Sequence, residues 1–429
     1  MADCFLGIDL GTSGIRAVLI DLQGSERLSA RIDLPGPSRD GAGVEQRAET
    51  WWAALDRLLC RLGQGTSFES LRAIAVDGTS GTVLPCDAAG RALAPALMYN
   101  DSRAQAQSDR IAALAPTGTG VQGPGSSLAK LLYFREQLPP DRFRFLLHQA
   151  DWILARLSGR IGITDENHAL KLGYDAVQRI WPEWLAQLGI PRHLFPDVVA
   201  AGTPIGHLLP VHARRWRMPP GVRVVAGTTD STAGFIGAGA HRAGDAVTSL
   251  GSTLVLKVCA PAPVFAPAYG VYSHRLGDSW LVGGASNTGG AVLQRYFDRP
   301  TLARLSQQLD TTRRTCLEYY PLAAPGERFP VNDPALPPKL TPRPRDDRRF
   351  LQGLLEGIAR IERHGYRLLE SLGAPYPCRV FTVGGGARNP AWTEIRRRLL
   401  GTALVQARHQ EAAYGAALLA RQGGMSEQR

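Results

Sequence analysis

The chain has 429 residues, 44% of them hydrophobic and 20% charged, values that exclude a disordered or fibrous protein and provide apolar surface for two cores. A formal net charge of +11 invites a nucleic-acid reading, but only Lys130, Lys171, Lys257 and Lys339 are lysines and the arginines are spread out. The densest run, TPRPRDDRRF at 341–350, is broken by two aspartates and reads as a solvated loop. No apolar stretch approaches the roughly 20 residues of a membrane-spanning helix. The start, MADCFLGIDL, enters a strand with no basic-then-apolar leader. The expectation is a cytoplasmic protein that binds neither nucleic acid nor membrane. Six cysteines, Cys4, Cys60, Cys86, Cys259, Cys316 and Cys378, fall singly without metal-ligand spacing, as free thiols do.

In chain order, Phe5–Asp9 is an apolar run of strand length, 11–14 (GTSG) a tight turn, and Arg16–Ile20 a β-branched second strand. DLQG at 21–24 turns the chain again and 27–32 makes a third strand. This meander has no helix directly after its glycines and no lysine closing the turn, which excludes a Rossmann unit and a P-loop. ETWWAALDRLLCRL, 49–62, has apolar residues at helical spacing, and LRAIAVDG, 71–78, is a buried strand, so the architecture is mixed α/β. Helices are expected to dominate from 147 until a second apolar strand, within GVRVVAGTTDSTAG at 221–234.

GDAVTSLGSTLVLKV, 244–258, repeats the opening theme of strand, Gly-Ser-Thr turn and strand, which points to two structurally similar domains. Residues 324–348, rich in Pro, Arg and Asp, read as an irregular surface excursion. Leu351, Leu354, Leu355, Ile358, Ile361 and Leu368 share one face of a core helix at 350–373, with Gly373 as its cap. CRVFTVGGGARNPAW, 378–392, is strand, triple-glycine turn and a helix start at Asn389-Pro390. EAAYGAALLARQ, 411–422, is an alanine-rich helix whose small residues permit close packing.

The chemistry gathers on three glycine and hydroxyl turns, 11–14, 251–253 and 384–386, and on two strand-end aspartates, Asp9 and Asp230. Such turns offer backbone N–H groups that approach an anion closely, so phosphate is their natural ligand. Gathered phosphates call for a divalent cation, and a carboxylate such as Asp9 suits Mg²⁺, directly or through water. A second carboxylate, Asp230, can accept the proton of an attacking hydroxyl in phosphoryl transfer. Taken singly, either aspartate is also ordinary turn chemistry.

These segments resemble the FGGY carbohydrate kinases of the actin, hexokinase and Hsp70-like superfamily. GIDLGTSGIRAVLID is similar to the family's first phosphate loop, VAGTTDSTAGFIGAG (225–239) to its catalytic-aspartate motif, and SLGST (249–253) to its second phosphate loop. YPLAAPGERFPVNDP (320–334), VGGGARNPAW (383–392) and EAAYGAALLA (411–420) resemble later family motifs, in order along the chain. The resemblance implies an α/β fold of two ribonuclease-H-like domains with an ATP/sugar cleft between them. Residues 1–237, completed by the terminal helix 411–429, would form a sugar-binding N-terminal domain, and 238–410 a nucleotide-binding C-terminal domain.

It further implies ATP and Mg²⁺ as cofactors. Asp9 would hold Mg²⁺ through water, Asp230 would be the base, and Gly11, Thr12 and Ser13 would border the transferred phosphate. Gly251, Ser252 and Thr253 would bind nucleotide phosphates, with Gly384, Gly385, Gly386, Asn389 and Trp392 around the adenosine; Trp392 reads equally well as helix-face core. Sugar contacts would come from Thr79, Ser80, Asp101, Asp230 and Ser231, although Asp101 has the alternative of bracing Arg103.

Where xylulose kinases carry Gln-Met-His-Gly, this chain has Thr79-Ser80-Gly81-Thr82, and the Arg-Glu pair of glycerol kinases is missing as well. The small hydroxyl residues and the short chain resemble the compact D-ribulose kinases of cyanobacteria and plants. D-Ribulose is therefore the expected acceptor, at its terminal hydroxyl, with D-xylulose as runner-up. The rivals from other classes are a non-catalytic sugar- and ATP-binding protein and a sugar-independent ATPase of the same fold.

Overall fold

The computed structural model describes residues 3–65 and 68–426. The chain divides into two compact units, Met1–Gly237 with Glu411–Arg429, and Ala238–Gln410. Each is built around a six-stranded mixed sheet. Numbered along the chain, the first sheet holds β1 (Cys4–Leu10), β2 (Gly14–Asp21), β3 (Glu26–Asp33), β4 (Leu71–Gly78), β5 (Pro204–His207) and β6 (Arg223–Thr229), in the order β5-β6-β4-β1-β2-β3. β1 runs antiparallel to β2 and parallel to β4, and β4 runs parallel to β6.

Burial explains the sequence of these strands. β1 and β4 are covered on both faces and read as nearly continuous apolar runs, whereas β3, at the edge, alternates between half-buried and exposed residues. On one face Leu6, Ile8, Ile74 and Val76 join Trp51, Leu55 and Leu58 of the helix Ala48–Gly65. On the other, Phe5, Ala73, Ala75 and Val225 meet Ala413, Ala417 and Ala420 of the C-terminal helix, Ala412–Met425. A Cβ on Gly7 would lie 2.0 Å from the Ala413 carbonyl oxygen, so this helix rests on the strand backbone itself. A smaller five-stranded sheet (Ser38–Asp40, Gly43–Gln46, Ala96–Leu97, Val83–Cys86 and Phe145–His148) belongs to the same unit.

The second sheet holds β7 (Asp245–Leu250), β8 (Leu254–Ala260), β9 (Tyr272–Leu276), β10 (Ser279–Ser286), β11 (Arg379–Val383) and β12 (Ala403–Gln406), in the order β9-β10-β8-β7-β11-β12. β7 is antiparallel to β8 and parallel to β11, which is parallel to β12. β7 and β1 thus sit in equivalent places, each with a hairpin partner on one side and two parallel strands on the other. The long helix Asp347–Ser371 buries Leu351, Leu354, Leu355, Ile358 and Ile361 and half-buries Leu368. It starts before the predicted residue 350 because the Asp346 carboxylate accepts from Arg348 N at 2.9 Å and caps it.

Two expectations change. The stretch 147–222 is less helical than its apolar spacing suggests: prolines at 182, 191, 196, 204 and 210 cut it into short helices, 3₁₀ turns and the strands Ile163–Asp165, Asp197–Val199 and β5. Residues 324–346 form no helix or strand, as expected, but they are anchored inside the second unit. Glu327 accepts from Ser286 Oγ at 2.6 Å and Asn287 N at 2.7 Å, and the Phe329 ring fills space that side chains on Gly284 and Gly365 would occupy. Single anchors of this kind have no periodicity to betray them. All six cysteines are free thiols, and no described helix is long and apolar enough to cross a membrane.

Candidate active site

The first sheet brings three carboxylates to the carboxyl ends of three neighbouring parallel strands. Asp9 closes β1, Asp77 lies directly opposite it on β4, and Asp230 follows β6, whose last residue, Thr229, pairs with Gly78. Adjacent strands are about 4.8 Å apart, so all three fall within about two strand spacings. Strand ends of open α/β sheets are the usual place for ligands.

Asp9 and Asp77 are 4% and 0% exposed. Arg16 Nη1 donates to Asp9 Oδ2 at 3.0 Å, while Arg16 Nε pairs with Glu411 Oε2 at 3.1 Å. Burial holds the Asp9 carboxyl above the usual carboxylate range even though the Asp77 and Arg16 contacts pull it down. Asp77 is pushed well above that range by burial and then by the charges of Asp9 and Asp230. It meets no donor group among the described residues; its hydrogen-bonding neighbour is the Asp9 carboxyl, a contact that needs one of the pair to carry a proton.

Oxygen donors alone suit a hard cation such as Mg²⁺. Among the described residues no group of three or more His, Cys, Asp and Glu side chains is arranged to enclose a metal, so a cation here would keep water ligands. Beside Asp9, the turn is closed by Gly11 N donating to Gly14 O at 3.0 Å, with Thr12 half-buried and Ser13 exposed.

After β4 comes the turn 79–82. Thr79 N and Thr79 Oγ1 both donate to Gln149 Oε1, at 3.1 and 2.9 Å, and the Thr79 and Thr82 hydroxyls are 2.6 Å apart. Ser80 Oγ and Gln149 Nε2 are buried with no protein partner. Asp101 lies elsewhere in function: it is fully buried, with its oxygens accepting from Val44 N at 2.7 Å and from Arg103 Nε at 3.0 Å, so it braces Arg103. Asp230 is half-buried and accepts from Ser231 N at 2.6 Å; Ser231 is exposed.

The sequence reading missed Asp77, Gln149 and a buried set behind Asp230. In that set Asp165 accepts from Thr228 Oγ1 at 3.0 Å and faces His168 Nδ1 at 2.5 Å. Burial lowers the His168 pKa, but Asp165 outweighs it and leaves the ring easier to protonate than usual. Asp77 carried a signal: set parallel, FLGIDLG and LRAIAVDG put their aspartates in register. The His168 set had none, since its residues are far apart in the chain.

In the second unit the turn 250–254 has Gly251 N donating to Thr253 O at 3.2 Å. It borders a cavity of about 1020 Å³ whose lining includes Gly251, Ser252, Gly385, Gly386, Asn389 and Trp392. Thr253 and Gly384 are not on its wall, but Gly384 makes the wall: its φ of +85° and a would-be Cβ 2.8 Å from Leu250 O admit glycine alone. Asn389 Oδ1 accepts from Trp392 N at 3.1 Å and starts the helix Pro390–Leu400, while its Nδ2 donates to Ser306 Oγ at 2.9 Å. Trp392 is 2% exposed and belongs both to the core and to the cavity wall, with its indole Nε1 unpartnered.

Two sheets of this topology, glycine-hydroxyl turns and strand-end aspartates define a phosphotransferase with an alcohol group as acceptor. The chain belongs to the FGGY family of carbohydrate kinases: residues 4–237 match the family's N-terminal domain and 246–422 its C-terminal domain. It is 28% identical to a xylulose kinase of Escherichia coli (strain K12), over 93% of this chain and 85% of that one. It is 26% identical to a xylulose kinase of Bacillus subtilis (strain 168), over 97% and 87%. A crystal structure from Brucella ovis, described as a xyloylose kinase, matches with a TM-score of 0.88 and 28% identity, over 98% of this chain and 90% of that one. The protein is therefore a sugar kinase.

Proposed function

We propose that the protein transfers the γ-phosphoryl group of ATP to the terminal hydroxyl of a ketopentose, with D-xylulose as the first candidate. The observation that carries this reading is the set of carboxylates of Asp9, Asp77 and Asp230 at three adjacent strand ends, beside a glycine-hydroxyl turn. Asp230 accepts the proton of the sugar hydroxyl as its oxygen bonds to phosphorus and the bond to ADP breaks. Thr12 and Ser13, with the N–H of Gly11, border the phosphoryl group in transit. Asp9 would hold Mg²⁺ through water, and the ion would offset phosphate charge.

Residues 1–237 with 411–429 act as the sugar-binding domain, where Ser80, Thr79 and Ser231 join Asp230. Residues 238–410 act as the nucleotide-binding domain: Gly251, Ser252 and Thr253 serve the phosphates, and Gly384, Gly385, Gly386, Asn389 and Trp392 the adenosine. The xylulose kinase relatives support D-xylulose over the D-ribulose expected from sequence. D-Ribulose stays as a second reading on one observation, the Thr-Ser-Gly-Thr turn with its unpartnered Ser80 hydroxyl in place of a histidine.

ADP release measured with each ketopentose, aldopentose and pentitol at equal concentration tests the proposal. We expect release only with a ketopentose. Release that ignores sugar would make the protein an ATPase, and no release with any sugar would leave a binding protein.

A further inference from the structure

Lys130 sits in the helix Ser127–Gln137 with its side chain 0% exposed, yet it takes part in no ion pair among the described residues. Its Nζ donates instead to two carbonyl oxygens, Gly81 O at 2.8 Å and Met98 O at 2.7 Å. The charged groups around it are Lys171, Asp101 and Arg103, and Asp101 is engaged by Arg103 and Val44 N. Lys171 Nζ donates to the neighbouring carbonyl, Ser80 O, at 3.2 Å.

Only four of the 49 Lys and Arg residues are lysine, and two of those four hold one turn of four residues by its main chain. An apolar side chain would fill the place of Lys130 without the cost of burying an amine, so what the amine adds is the pair of carbonyl bonds. An arginine fork is planar and wider, and could not replace so compact a donor between two strands of backbone.

We propose that Lys130 is a positioning residue for sugar recognition, joining Gly81 to Met98 so that the turn 79–82 keeps the shape in which Ser80 meets the sugar. The inference rests on the reading of this turn as sugar-binding. Gln149 holds the start of the turn through Thr79, and Tyr99 N, donating to Thr82 Oγ1 at 3.0 Å, holds its end. Lys130 and Lys171 fix the middle through the carbonyls of Gly81 and Ser80. The turn is thus set before the sugar arrives, which lowers the ordering cost of binding.

The test compares the wild type with Lys130→Met and Lys171→Met. For Lys130→Met we expect the KM for the ketopentose to rise about tenfold while kcat and the KM for ATP stay within about twofold, the pattern of lost ground-state binding. Lys171→Met, at a half-buried site, should shift the same constant in the same direction by about threefold, and it decides the matter if the Lys130→Met chain does not fold. Parallel rises in both KM values, or an unchanged sugar KM, would overturn the proposal. Hydrogen exchange separates this failure from failure of the sugar-kinase reading: faster exchange confined to 79–83 and 98–101 supports the clamp even if no sugar is turned over. Unchanged exchange there removes the clamp whatever the substrate.

Discussion

The turn after β1 and the turn after β7 are the same piece of backbone with different equipment. Each links an antiparallel pair through Gly-Thr-Ser or Gly-Ser-Thr, and each lies beside a parallel neighbour. Opposite positions in the first sheet are Asp9 and Asp77; in the second they are Ser249 and Val383. One end therefore concentrates buried negative charge and the other has none, beside a cavity of about 1020 Å³. The difference teaches that a glycine-hydroxyl turn provides phosphate binding by backbone alone, and that chemistry is added by carboxylates at the neighbouring strand ends.

Substitutions can break this division of labour. Asp230→Ala should lower kcat by roughly 10³-fold, the scale of a lost general base, with ATP affinity by calorimetry within about twofold. Lost nucleotide binding would contradict a role confined to the first unit. Asp9→Asn should cost on the order of 10²-fold in activity and raise the Mg²⁺ concentration needed for half-maximal rate; an unchanged metal dependence would count against it. Trp392→Ala, in the uncharged half, should raise the KM for ATP about tenfold, leave the sugar KM alone, and destabilise the chain by about 3–5 kcal/mol as a buried aromatic is lost.

Two smaller effects sharpen the contrast. Burial depresses the Lys130 pKa from 10.5 to about 7. The folded state then gives up its proton before the unfolded state does, so this lysine adds stability as pH rises from about 7 toward 10.5. Denaturant titrations at pH 7 and 9 should show a gain that Lys130→Met lacks, and an identical pH slope in the two proteins would refute the assignment. Asp77→Asn makes the first strand end electrically more like the second. By removing a buried acid crowded by Asp9 and Asp230 it should raise Tm by about 2–4 °C in scanning calorimetry, whereas a fall would mean the acid is stabilising.

Much of the scaffold was readable from pattern. Alternating and continuous apolar runs located β1, β2, β4 and the helix at 347–371, and the repeated hairpin pointed to two sheets of like topology, because period and turn chemistry are local properties. Asp9 and Asp230 stood out since each ends an apolar run next to glycine or threonine. Asp77 was equally visible in LRAIAVDG, but its meaning depends on a parallel register that no local rule supplies. Asp101 illustrates the opposite failure: its neighbourhood in the chain suggests a sugar contact, and the backbone N–H of Val44, distant in sequence, occupies it. The Lys130 bonds join residues 32 and 49 positions away, so nothing in the sequence around it announces them.

The helix Ala412–Met425 covers β1, yet the ribosome adds it only after the whole of Ala238–Gln410 has been made. During synthesis the strand bearing Asp9 waits, one flank bare, for a partner that does not yet exist. A polypeptide halted at Gln410 would own every acidic group of the candidate site and still lack the lid of small residues against Phe5, Ala73 and Val225. Interrupted translation should accordingly yield inert, protease-sensitive chains and no half-working enzyme, a safeguard against stray ATP consumption by fragments.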